Sequence, residues 1–136
     1  MSNVTDIVLN NGESTPVAKT FTPDVVDANL VSYSEKSGVS YLAHPTLSLG
    51  RRMPTAQNGN RKATIRVKVP VLEEISGTTT GYTPGPKVAY TLLANIDVVI
   101  PSRASAAERA DLAAFAANGL AHSVINALIE DGDFPY

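Results

Sequence analysis

Asn60-Arg61-Lys62-Ala63-Thr64-Ile65-Arg66-Val67-Lys68-Val69-Pro70 alternates in character through its second half. Successive side chains of a strand point to opposite sides. Thr64, Arg66 and Lys68 therefore share one face, and Ile65, Val67 and Val69 share the other. Such a strand is wet and cationic on one side and apolar on the other. It implies an antiparallel sheet with one face on a core and a basic face left in solvent. Pro70 has no N–H to donate and marks the end of regular pairing or a sheet edge.

The charge around this strand is just as uneven. No acidic residue occurs between Glu35 and Glu73, and that interval holds Lys36, Arg51, Arg52, Arg61, Lys62, Arg66 and Lys68, seven of the chain's eleven Lys and Arg. The whole chain carries a net charge of −2, so its positive charge is concentrated. From Arg103 onward two Arg stand against Glu108, Asp111, Glu130, Asp131 and Asp133. A chain with one basic and one acidic end can fold with a positive face and a negative face, and the positive face suits a polyanion, most simply a nucleic acid.

Strand signals continue on either side. Residues 4–9 are β-prone and close at Asn10-Asn11-Gly12, a turn signal, and residues 14–21 can return as a hairpin arm before Thr22-Pro23-Asp24 breaks the pattern. Residues 30–34 form a short strand stopped at Lys36-Ser37-Gly38. In residues 46–50, Thr46, Ser48 and Gly50 oppose Leu47 and Leu49. Residues 77–87 are rich in Gly, Thr and Pro and read as a loop. In residues 88–100, Leu92, Ala94, Ile96 and Val98 form the buried side, and Leu93, Asn95, Asp97 and Val99 lie opposite. After Pro101 the period changes. Ser105-x-x-Glu108 is a capping box for a helix over 106–118 closed by Gly119. A second helix over 120–130 places Leu120, Val124 and Leu128 in one stripe and ends at Asp131-Gly132-Asp133. The fold class is α+β: an N-terminal hairpin (1–21), an antiparallel sheet of about five strands (30–100) and two helices (105–130) in a single domain of 136 residues. Two short helices cannot roof so long a sheet, so a second copy is expected to supply the cover.

Several classes of function are disfavoured. Without Cys there is no disulfide and no thiolate metal site. His44 and His122 are isolated, and Asp131 and Asp133 lack the rest of a calcium loop. No Ser-His-Asp spacing, phosphate loop or carboxylate pair is present, so neither an enzyme nor a cofactor is expected. No apolar run approaches the roughly 20 residues of a membrane span, and no membrane partner is expected. The start of the chain lacks the features of a signal peptide, so the expected compartment is the cytoplasm in which it is made.

The stretch 60–70 resembles the most characteristic strand of the coat proteins of single-stranded RNA bacteriophages, the leviviruses. Met1-Ser2-Asn3, Val8-Leu9 and Asn11-Gly12 are similar to that family's N-terminal hairpin, Thr46-Leu47-Ser48-Leu49 to its central strand, and residues 95–101 to its last strand. Glu108-Arg109-Ala110 and the aromatic end at Tyr136 are also similar, in the same order along nearly the full chain. The resemblance implies a homodimer with one continuous sheet, helices crossing onto the partner, and an icosahedral shell around single-stranded RNA, assembled in the host cytoplasm and found in the virion. It also implies binding of an RNA hairpin that represses replicase translation. The family's adenine pockets match Thr46, Ser48, Thr64 and Arg66 here, with Leu30 lining them. Arg61, Lys62 and Lys68 extend the basic patch, and Asn95 matches a hairpin contact. Two positions depart from the family: a base-stacking Tyr aligns with Leu93, and a basic position of the central strand aligns with Gly50. The alternative is a dimeric RNA-binding repressor that does not assemble.

Overall fold

The computed structural model describes residues 4–37, 41–55, 59–73 and 87–135. Strands β1 (Ile7–Asn10), β2 (Ala18–Val26), β3 (Leu30–Glu35), β4 (Thr46–Arg52), β5 (Asn60–Leu72) and β6 (Val88–Pro101) precede helices α1 (Ala106–Ala121) and α2 (Ser123–Asp131). The six strands form one sheet in chain order, with antiparallel ladders between successive strands from β1 to β5. The hairpin is thus part of the sheet, which has six strands among the described residues. Most of the loop at 77–87, the first three residues and Tyr136 lie outside the described residues.

Each local sequence signal has a visible cause or a visible override. Asn11 closes the β1–β2 connection: its backbone N–H donates to Val17 O at 3.0 Å, and its Oδ1 accepts from Val17 N at 2.9 Å. The break expected at Thr22-Pro23-Asp24 does not occur. β2 runs on to Val26 because the register shifts between Pro23 and Val25, a bulge that absorbs one residue. β5 likewise continues past Pro70 to Leu72.

The sheet's core is small. Phe21, Tyr33 and Leu47 are buried, with Ile7, Val31, Leu49, Ile65 and Val67 packed against them. Burying one such side chain fully contributes about 1.5–3 kcal/mol. β6 gains little of this within one chain. Ile96 and Val98 are half-buried, whereas Leu92, expected on the buried side, is 57% exposed and Ala94 is exposed too.

The helical segment belongs to a second compact unit, residues 54–60 and 100–136, apart from the sheet unit of residues 1–53 and 61–99. The capping box is present: Glu108 N donates to Ser105 Oγ at 3.3 Å and Ser105 N to Glu108 Oε2 at 3.4 Å. α1 does not stop at Gly119 but runs to Ala121, and α2 starts at Ser123. The hinge is His122, extended at φ −69°, ψ 141°, whose Nδ1 accepts from Val124 N at 3.2 Å and caps α2. Gly132 ends α2 in the left-handed region at φ 69°, where a Cβ would be strained. Neither helix contains a buried residue.

Candidate nucleic-acid interface

The β3–β4–β5 registers set the polar residues in rows. Thr46 stands between Ser34 and Lys68, Ser48 between Ser32 and Arg66, and Gly50 between Leu30 and Thr64. Cross-strand neighbours share a face. Thr46, Ser48, Thr64, Arg66 and Lys68 therefore form one patch, opposite the core face of Leu47, Leu49, Ile65 and Val67. Arg66 and Lys68 are exposed, while Thr46, Ser48 and Thr64 are half-buried between them. Small hydroxyls lie low and cations stand above them, a layout in which a base can be hydrogen-bonded from below and its phosphate held from the rim.

β6 completes the patch. Arg66 Nε donates to Asn95 Oδ1 at 2.9 Å, which orients the Asn95 amide with its NH2 unused. Thr64 Oγ1 donates to Asp97 Oδ1 at 3.1 Å, so its hydroxyl keeps only acceptor capacity. Lys62 Nζ lies 3.8 Å from Asp97 Oδ2. Leu93, on the same face by alternation, is 57% exposed.

Arg61 separates from this group. β5 is continuous from Asn60, and alternation assigns Arg61 to the face of Ala63 and Ile65. Arg51 is also committed elsewhere: its Nε donates to Ala28 O at 3.1 Å and Asn29 Oδ1 at 3.2 Å, tying β4 to the β2–β3 turn. Two acids, by contrast, enter the basic face from strands outside the acid-free interval. Asp97 comes from β6, where its alternation with Asn95 already signals it. Asp24 comes from the β2 bulge, which no sequence period reveals.

The opposite, apolar face carries an open hollow of about 420 Å³, lined by Leu9, Phe21, Val67 and Val69 with Lys19 and Glu35 beside them. Glu35 is buried, and its Oε1 accepts from Ser37 N at 3.0 Å; that bond, before the field of Lys19, holds its carboxyl below the ordinary 4.5.

Among known proteins the likeness runs end to end. The levivirus coat protein family model matches residues 2–136. The chain is 30% identical to the subunit of the virus-like particle of bacteriophage ESE058, covering 99% of this chain and 100% of that one with a TM-score of 0.89. The fold recurs in the virus-like particle of bacteriophage NT-214, at 24% identity and TM-score 0.86, covering 99% of this chain and 100% of that one. It recurs again in the bacteriophage GA protein capsid, at 19% identity and TM-score 0.70, covering 96% and 97%. No curated protein sequence matches the chain. A family match over all but the first residue, on a sheet of this topology followed by two helices, makes the chain a member of the levivirus coat protein family, a structural family and not an enzymatic one.

Proposed function

We propose that the protein dimerises, assembles into an icosahedral shell around single-stranded RNA, and binds an RNA hairpin through its basic face to repress replicase translation. The observation that carries the RNA part is the register: Thr46, Ser48, Thr64, Arg66, Lys68 and Asn95 meet on one face although they come from three strands. Assembly is supported by the full-length likeness to a particle-forming subunit at 30% identity. Dimerisation is supported by what one chain leaves uncovered. β6 is the last strand of the sheet and has no buried residue, and Tyr90 and Leu92 are exposed on its apolar side. A long edge strand with unpaired backbone groups is a template for another chain. Phe115, Ile129 and Phe134, exposed on the helical unit, are side chains of the kind the hollow beside Phe21 can seat when offered by a second copy.

Electron microscopy of the purified protein tests assembly: closed shells are expected, and free dimers under all assembly conditions would leave only a repressor. Filter binding over a salt series tests the RNA face. Each phosphate contact with single-stranded RNA contributes about 0.7 to the log–log salt slope. Arg66→Ala and Lys68→Ala should each flatten the slope by about that amount. Unchanged slopes in both would move the RNA to another surface.

A further inference from the structure

Asp24 sits where β2 gains a residue on β3. Pro23 faces Tyr33 and Val25 faces Ser32, so Asp24 has no partner across the ladder. Its two carboxylate oxygens are used separately. Oδ1 pairs with Lys36 Nζ at 2.7 Å, and Oδ2 accepts the Ser34 hydroxyl. Ser34 belongs to the rows of the basic face, and Lys36 follows directly after the end of β3. Ser34 stands opposite Thr46, which stands opposite Lys68. Lys36 is the first cation of the acid-free interval, two residues after Ser34, and meets the same carboxylate. Ser34 is buried and Lys36 is exposed; without Asp24, the row Lys68–Thr46 would continue into a hydroxyl stripped of its acceptor and cover, and one more unpaired cation. With it, the hydroxyl is spent and the ammonium is neutralised.

We propose that Asp24 sets the outer edge of the RNA-binding face: by holding Ser34 and Lys36 it denies them to RNA phosphate and confines the strand of RNA to β4, β5 and β6. This is a specificity-determining role, and it rests on the RNA reading given above. The contact with Lys36, then that with Ser34, keeps the Asp24 carboxyl below its ordinary 3.8, with His44 adding a smaller pull in the same direction. The group is therefore ionised at neutral pH, where an RNA phosphate would compete for Lys36. Beyond Asp24 the strand offers only Val25 and Val26, both exposed and apolar, so the bulge is where the polar face stops.

The test is filter binding of the full chain to an oligouridylate between about 50 and 200 mM salt. Asp24→Ala should steepen the salt slope by about 0.7, one added phosphate contact. Lys36→Met alone, which keeps the bulge residue, should leave the slope as it is. The double variant should return to the unaltered value. A slope flattened by Lys36→Met would mean that Lys36 already meets phosphate, and would overturn the proposal. So would a double variant as steep as Asp24→Ala, since the carboxylate would then act by its own charge alone. Arg66→Ala serves as the reference. If it flattens the slope while Asp24→Ala changes nothing, the edge is wrong and the RNA face stands. If neither Arg66→Ala nor Lys68→Ala changes it, the RNA face itself is wrong.

Discussion

The hydroxyl of Thr64 has one proton, and Asp97 takes it. What remains toward solvent is an acceptor, suited to an exocyclic amino group of a base and useless to a phosphate. Thr64→Ala should therefore lower the preference for a cognate hairpin over a scrambled one by about five-fold, the worth of one neutral hydrogen bond near 1 kcal/mol, with little effect on scrambled RNA. Filter binding of the two hairpins at one salt concentration measures this; equal weakening of both would remove Thr64 from base reading. The two lowered carboxyls make a separate residue-scale prediction. Asp24 and Glu35 both titrate below their ordinary 3.8 and 4.5 in the folded protein. A depressed carboxyl adds stability that is complete above its unfolded pKa and is lost as pH falls through the folded one. Asp24→Asn should lower the melting temperature at pH 7, and its deficit should narrow as pH drops below about 4. A deficit independent of pH would mean that the change acts through shape and not charge. At this scale the shared face is largely legible in the sequence: alternation alone puts Thr64, Arg66 and Lys68 together, and the resemblance adds Thr46, Ser48 and Asn95. Arg61 was grouped by charge, and strand parity separates it.

Elements were legible where period and cap agree, and misplaced where a tertiary bond outweighs a local signal. The start of α1 was read correctly because Ser105 and Glu108 satisfy each other's orphan groups whatever lies around them. Ser105→Ala should accordingly cost about 1 kcal/mol in denaturant unfolding of the protein; no loss would mean that the first turn of α1 is held by other contacts. The end of α1 was misplaced. Gly119 remains helical, and a Cβ there would lie 3.7 Å from Ile125 Cδ1, so α2 packs back over this turn. The chain instead turns at His122, where an imidazole does the work of a capping Asn or Ser and carries no sequence signal for it. The bulge in β2 escaped for a like reason. Pro23 and Asp24 read as a turn, yet the Asp24 side chain bonds to Ser34 of β3 and to Lys36 just beyond it, and the strand stays paired through the bulge.

For the whole molecule, the question is what covers the apolar surface that folding one chain leaves open. The imbalance lies in the element lengths: strands of thirteen (β5) and fourteen (β6) residues stand against helices of sixteen and nine. The structure sharpens it, since Leu92 is more than half exposed and α1 and α2 bury nothing fully. Exposed apolar residues on an edge strand and on both helices exceed what a stable monomer shows as scattered surface residues. If a second copy pairs along β6 and covers these side chains, folding and association are one equilibrium, and stability must depend on protein concentration. The melting temperature of unassembled protein should then rise with each tenfold increase in concentration. Leu92→Glu, at a side chain more than half exposed within a single chain, should abolish the dimer in sedimentation, because its carboxylate would be desolvated without a partner at the interface. A melting temperature that does not change with concentration, together with a Leu92→Glu dimer of normal stability, would place the contact between copies away from β6. The basic face proposed to meet RNA would then be that of a single chain's sheet, with half the rows that a continuous sheet provides.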